Sequence, residues 1–383
     1  MTLLTPSTDH NHQLSLFCDE DTPSPPKRKR RIHPSVPHTP STTDPARLIT
    51  DADWVLLNSS GGKDSQAMKS YVLSLAHTVG ALDKIVVVHA DLSDIEWEGT
   101  AALARRQSRM LRVPRFEVVQ AQGDLLARVA ARYAKLKAKA LAEGKPVAPA
   151  WPSASARWCT SDLKRGPVRR LMTRLTDERS HLRRPVRILN CLGQRAAESP
   201  HRQKLAPVEI DRPASNGKRH ITTWRPIHHW SDRAVWTEIA RSGLPYHEAY
   251  DWGMSRLSCS FCVLGCEADL VLAARRRPDK AAEYAAMETM VERDFKHGLP
   301  MREIIARAAA LEEHSPLVRP PYGTAMSRFV GKAVTRDYLK RLKGLCAQEA
   351  AAFAAMRLSG ITVEAAMHHV TATHPERTGK LPR

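Results

Sequence analysis

Residues 54–65 read Trp54-Val55-Leu56-Leu57-Asn58-Ser59-Ser60-Gly61-Gly62-Lys63-Asp64-Ser65. The first five form a short apolar run, the pattern of a strand buried on both faces of a parallel sheet. A Ser/Gly turn follows. From residue 64 to about 79, Met68, Tyr71, Val72 and Leu75 recur with helical spacing, and Gly80 supplies a stop. Glycines between a strand and a helix let the backbone approach a phosphate and take up positive φ. The N–H groups at the helix start, with the helix dipole, attract the anion. Ser60 and Ser65 add hydroxyl donors and Lys63 a point charge. Asp64 is placed either to cap the helix or to help hold a magnesium ion. The spacing excludes a Walker A loop, which needs four residues between Gly and Gly-Lys. It also excludes the dinucleotide fingerprint, because no Gly-x-Gly-x-x-Gly follows the strand.

Outward from this loop the pattern repeats. Ile85–His89 reads as a second buried strand, 95–111 as a helix, Phe116–Val119 as a third strand, and 124–143 as a long helix. Val186–Asn190 is a further strand, and Pro213–Gly217 a turn within a hairpin ending near Thr223. Strands alternating with helices predict an α/β fold with a parallel sheet and flanking helices. Ligands of such sheets sit beyond the carboxyl ends of the strands. That places Asp91, in His89-Ala90-Asp91, either to meet a ribose, an adenine edge or a metal, or to cap the next segment. After about residue 268 the chain is Ala/Arg/Glu-rich and helical. The expected organisation is a Pro-rich basic tail over 1–47, a nucleotide-binding domain over 48–272 and a helical C-terminal extension over 273–383.

The 383 residues carry 59 Lys and Arg against 40 Asp and Glu, a net charge of +19 that favours polyanionic partners. The tail contributes eight prolines and the run Lys27-Arg28-Lys29-Arg30-Arg31, either a nucleic-acid or targeting arm or a solvated tail. No apolar run approaches a membrane span, and no secretion signal is visible, so no membrane association and a cytoplasmic location are expected. Seven cysteines, an odd number, argue against a disulfide framework. Cys259-x-x-Cys262 has the spacing of two thiolates on one metal, and Cys266 stands ready as a third.

Three further stretches narrow the class. They are Trp158-Cys159-Thr160-Ser161-Asp162-Leu163-Lys164-Arg165-Gly166-Pro167, then Gly193-Gln194-Arg195-Ala196-Ala197-Glu198-Ser199-Pro200-His201-Arg202, then Trp224-Arg225-Pro226-Ile227 through Trp230 and Trp236 to Gly253–Cys262. With the Ser60–Ser65 loop, they resemble the phosphoadenosine phosphosulfate (PAPS) reductase family of PP-loop, adenine nucleotide α-hydrolase-like proteins. The resemblance is nearest to its DNA-phosphorothioation ATPase-like branch. It implies that the Cys159 and Gly193 motifs line a nucleotide site. Ser60, Gly61, Gly62, Lys63, Asp64, Ser65, Asp91, Lys164, Gly193, Arg195 and Arg202 are then the expected nucleotide ligands. Lys63, Asp64, Arg195 and Glu198 are the expected catalytic groups, with Glu198 orienting Arg195 or holding a metal. Arginine suits the role because it grips phosphate in bidentate fashion.

The resemblance also implies that Cys159 joins Cys259 and Cys262 around a [4Fe-4S] cluster, with zinc as the alternative. Cys266 is the expected fourth ligand and Cys191 the reserve. Iron–sulfur reductases of the family carry adjacent cysteines where this chain has Trp158-Cys159. Sulfonucleotide reductases also use a C-terminal Glu-Cys-Gly-Leu-His motif, whereas residues 377–383 read Arg-Thr-Gly-Lys-Leu-Pro-Arg. The expected chemistry is therefore attack on the α-phosphorus of ATP with Mg²⁺, releasing pyrophosphate. It would serve sulfur transfer or nucleic-acid modification, with a nucleic-acid substrate and a sulfur donor such as a cysteine desulfurase as partners. Reduction of PAPS or its 3′-dephospho form (APS) is one alternative, and a nucleotide-sensing DNA-binding regulator is another. Trp224, Trp230, Trp236 and Trp252 are placed either to stack on a base or to form a Trp-rich core around the site, with no catalytic role for His228 or His229.

Overall fold

In the computed structural model, residues 43–359 are described. The expectations for Lys27–Arg31 and for residues 377–383 lie outside them. Six strands form one sheet: β1 (Trp54–Asn58), β2 (Ile85–Asp91), β3 (Phe116–Gln120), β4 (Val186–Cys191), β5 (Val208–Ile210) and β6 (Arg219–Trp224). Their spatial order is β3-β2-β1-β4-β6-β5. All neighbours run parallel except β5, which returns antiparallel against β6. The expected hairpin is this β5–β6 pair. Strand order reverses at β1, because the chain leaves it for β2 on one side and later returns as β4 on the other. A crevice opens at the carboxyl ends where the order reverses, and the Ser60–Ser65 loop sits there.

Twelve helices accompany the sheet among the described residues. They are α1 (Pro45–Asp51), α2 (Lys63–Thr78), α3 (Thr100–Met110), α4 (Leu125–Glu143), α5 (Gly166–Glu178), α6 (Pro200–Gln203), α7 (Asp232–Ser242), α8 (Ala249–Trp252), α9 (Glu267–Arg276), α10 (Pro278–Met290), α11 (Met301–His314) and α12 (Thr324–Ser359). The chain turns within α12 at Gly331, which has φ 81°. Successive strand residues point to opposite faces. Accordingly, Val55 and Leu57 pack with α2 and α7, while Trp54 and Leu56 pack with α5. Burial on both faces is why β1 is apolar without alternation. Trp224 and Trp236 lie in the first of these cores, and Trp230 packs against it.

The end signals agree with the sequence. The Asp124 carboxylate accepts from the Ala127 N–H at the start of α4, and Gly144 closes it with φ 64°. The helix expected over 95–111 begins later, at Thr100. Residues 93–95 form a 3₁₀ turn, with Ser93 at φ 59° and its N–H held by the Asp91 carboxylate at 2.7 Å. Glu96 then pairs with Cys259 in an isolated antiparallel bridge. A distant segment therefore claims the backbone that periodicity assigned to a helix.

A third core lies beside the sheet. It joins Ile95 and Trp97 to α4, to Phe261 in the Cys-x-x-Cys segment, and to α9, α10 and α11. Tyr284 of α10 is fully buried at its centre, between Trp151, Phe261 and Phe295. The last long helix packs on α7 and places Ala325, Met326 and Tyr338 in the first core.

Candidate functional site

The loop after β1 is held from within. The Ser65 hydroxyl donates to the Gly62 carbonyl at 2.9 Å and accepts the Ser60 N–H at 3.1 Å. Gly61 has φ +74°, and a Cβ there would lie 2.7 Å from the Thr100 methyl group. Gly193, in the loop after β4, is packed against the start of α2. A Cβ at that position would come within 2.8 Å of Asp64 and Ser65 backbone atoms. The two glycines therefore have separate reasons: Gly61 turns the chain, and Gly193 lets two loops touch.

Charge converges at the loop mouth. The Lys63 ammonium is 3.0 Å from Asp64 and 3.5 Å from Asp232. The Arg195 guanidinium, 3% exposed, donates to Asp64 at 2.5 Å, to Asp232 at 2.9 Å and to the Trp230 carbonyl at 3.1 Å. Burial works against the Arg195 charge, but Asp64 and Asp232 outweigh it and raise its pKa. Asp64 makes no side-chain cap for α2, whose N-cap is Gly62, so pairing the two cations is its observed role. Glu198 accepts from the Arg195 backbone N–H at 2.7 Å and ion-pairs with Arg202. The Lys63 N–H donates to the Tyr250 hydroxyl at 2.9 Å. Burial, foremost, keeps that phenol neutral. Asp232 and Tyr250 were not singled out from the sequence.

Lys164 stands elsewhere. It lies on a π-helical turn, Thr160–Arg165, that leads into α5, and its charge acts on Cys159 and Cys259. Such turns recur at functional sites. Cys159, Cys259 and Cys262 are mutual electrostatic neighbours. Burial pushes the Cys259 thiol up to about 12, with Lys164 opposing and the other two thiols adding to the rise. Cys266 is exposed at the start of α9. The reserve candidate, Cys191, is buried in the core between the sheet and α2, apart from the core that holds Cys159 and Cys259. The Tyr284 hydroxyl, fully buried without a hydrogen-bond partner among the described residues, lies within electrostatic reach of Cys259 and Cys262. A buried donor lacking a partner suits thiolate or sulfide acceptors. The fold thus brings Cys159, Cys259 and Cys262 within electrostatic reach of one another.

At the carboxyl end of β2, the buried His89 ring places Nδ1 2.8 Å from the Ser59 carbonyl and Nε2 3.2 Å from Glu96. Burial disfavours charge on the ring, but the Glu96 carboxylate prevails and raises its pKa. Asp91 lies beside them, half-buried. Neither His89 nor Glu96 carried a sequence signal strong enough to mark it.

A parallel sheet whose order reverses at β1, with a glycine turn, Lys63 and Arg195 at its crevice, defines a PP-loop protein of the adenine nucleotide α-hydrolase-like class. The family model described as the phosphoadenosine phosphosulfate reductase domain matches residues 55–267. The chain belongs to that family. An uncharacterized 37.8 kDa protein of Escherichia phage 186 is 28% identical over 148 residues, covering 39% of this chain and 42% of the relative. An adenosine 5′-phosphosulfate reductase of Neisseria meningitidis is 33% identical over 70 residues, 18% of this chain and 27% of the enzyme. The chain thus spans less than half the length of these curated relatives. Among solved structures, the PAPS reductase of Candida auris in its phosphate complex is 16% identical, with TM-score 0.34, covering 56% of this chain and 87% of that one. An FMN adenylyltransferase of Candida glabrata with FAD and pyrophosphate is 14% identical, with TM-score 0.32, covering 56% and 60%.

Proposed function

We propose that the chain binds ATP at the Ser60–Ser65 loop and cleaves it between the α and β phosphates in adenylyl transfer. The supporting observation is the charge arrangement at the loop mouth, where Lys63 and Arg195 share Asp64 and Asp232. An entering polyphosphate would take over both cations. The two carboxylates, side by side at the Lys63 ammonium, would then be free to hold the Mg²⁺ that accompanies a nucleoside triphosphate. A phosphosulfate bound without a metal would leave them facing an anion. When bound, Mg²⁺ supplies charge neutralisation across the phosphate oxygens.

The chain's own groups do the rest. The start of α2 and Lys63 hold the β,γ-phosphates. An acceptor oxygen attacks the α-phosphorus, the bond to the bridging oxygen breaks, and pyrophosphate leaves with the electron pair. Lys63 and Arg195 stabilise the developing charge. Glu198 acts through Arg195 as a positioning residue, and Arg202 meets the outer part of the nucleotide. Cys159, Cys259 and Cys262 would hold a [4Fe-4S] cluster or zinc, with Cys266 as the fourth candidate. That group would supply sulfur handling or electron transfer. A nucleic-acid acceptor suits the net charge of +19, and a cysteine desulfurase is a fitting sulfur source.

The test is pyrophosphate release from Mg·ATP by wild type and Lys63→Ala, with nucleic acid and a sulfur donor supplied. Release by wild type and its loss in the variant are expected. The local likeness to an adenosine 5′-phosphosulfate reductase favours a second reading, sulfonucleotide reduction. Thiol-dependent sulfite formation from APS or PAPS, without pyrophosphate release from ATP, would establish that reading instead.

A further inference from the structure

His89, Asp91 and Glu96 form a cluster at the carboxyl end of β2, distinct from the loop-mouth carboxylates and joined to the cysteine segment by the Glu96–Cys259 bridge. Each offers one ligand atom, and the three atoms lie within 4.8 Å of one another. His89 is fully buried and Glu96 is 8% exposed. The Nδ1 of His89 is committed to the Ser59 carbonyl, so that nitrogen carries the hydrogen. In the neutral ring, the Nε2 lone pair therefore faces a carboxylate oxygen 3.2 Å away. Two acceptors opposed in a dry interior repel, and only a proton or a cation between them removes the conflict. A backbone carbonyl on the far nitrogen is also what orients a metal-ligating histidine. Asp91 adds a second carboxylate from the half-buried edge, where an ion can enter, and one of its oxygens is steadied by the Ser93 N–H.

We propose that His89, Asp91 and Glu96 form a binding site for a divalent first-row transition metal of the Mn²⁺, Fe²⁺ or Zn²⁺ kind. One imidazole with two carboxylates selects such ions over Mg²⁺, which prefers oxygen ligands and keeps several waters. Three protein ligands leave coordination positions open on the Asp91 side. The ion would tie together β2, the Ser59 backbone at the start of the phosphate loop, and the 93–96 segment. That segment runs on to the cysteines: Glu96 bridges Cys259, the Ser260 N–H donates to Ile95, and Arg277 donates to the Glu96 carbonyl. The site thus stands between the nucleotide crevice and the cysteine group, and it does not depend on which nucleotide the loop takes.

The test is Mn²⁺ binding to the full chain without nucleotide, read by electron paramagnetic resonance. Thiols are poor ligands for Mn²⁺, so the cysteines do not confuse the result. Electron spin echo detects nitrogen coupling, which carboxylates alone cannot produce. The expected result is a bound Mn²⁺ with imidazole nitrogen coupling in wild type, retained in Asp232→Asn and lost in Asp91→Asn. Matching thermal unfolding of the metal-free proteins would show that Asp91→Asn is folded. Absence of nitrogen-coupled Mn²⁺ in wild type, or its persistence in Asp91→Asn, overturns the proposal and leaves the His89–Glu96 pair held by a proton.

Discussion

Lys69 lies on the buried face of α2, with no carboxylate paired to it among the described residues. Among the described residues, its ammonium contacts neutral oxygens: Gln107 at 3.1 Å, Ser59 at 3.4 Å and Ser108 at 3.5 Å. Burial lowers its pKa from 10.5 to about 7. Between those values the unfolded chain binds a proton that the folded chain does not, so this group makes stability rise with pH. Wild type is therefore expected to gain stability relative to Lys69→Met from pH 7 to pH 10, with a flat difference below pH 7. Denaturant unfolding at several pH values measures it. Gly193 has no comparable freedom. An added Cβ meets backbone of Asp64 and Ser65, which cannot rotate away. Gly193→Ala is expected to cost about 1–3 kcal/mol in thermal unfolding and to abolish nucleotide binding by calorimetry. From the sequence, Gly193 was legible as a motif residue, but its reason was not, because its neighbour is 129 positions away in the chain.

Among the elements, α7 shows how a local signal serves a distant site. The Ser231 hydroxyl caps it, accepting from the Ala234 N–H at 3.2 Å, and the next residue is Asp232. The cap sets where the first turn begins, and so where Asp232 meets Lys63 and Arg195. Ser231→Ala is expected to lose about 1 kcal/mol of stability. It should also weaken Mg·nucleotide binding in titration calorimetry while leaving the loop sequence intact. If affinity is unchanged, the cap does not position Asp232. The starts and stops of α2 and α4 were readable because Gly, Asp and a change of periodicity act on their own neighbours. The start of α3 was not, since Glu96 is held in an extended conformation by Cys259, a long-range pairing without a local mark.

At the scale of the whole molecule, α9, α10 and α11 share one core with the Cys-x-x-Cys segment and with residues 95–97. Tyr284 is the keystone, touching three other aromatic rings. Tyr284→Ala is expected to cost about 3–5 kcal/mol, because the cavity cannot collapse around rigid rings. It should also loosen any thiolate-bound metal, which chelator challenge would report. Tyr284→Phe removes only the unpartnered hydroxyl and separates the two effects. Stability should hold in that variant, while metal retention falls if the hydroxyl serves the cysteines.

By itself, the amino-acid sequence determined the first four strands, the ends of α2 and α4 and the family, because those rest on periodicity, turn chemistry and residues adjacent in the chain. The loop at Ser60–Ser65 announces an anion site through its own glycines and helix start. Tertiary structure alone decided which charges share that site. Asp64 pairs with Arg195 and Lys63 with Asp232, Lys164 faces cysteines, and His89 meets Glu96. Each such pairing depends on which strand ends the sheet brings together, and long-range proximity leaves no periodic trace in one chain.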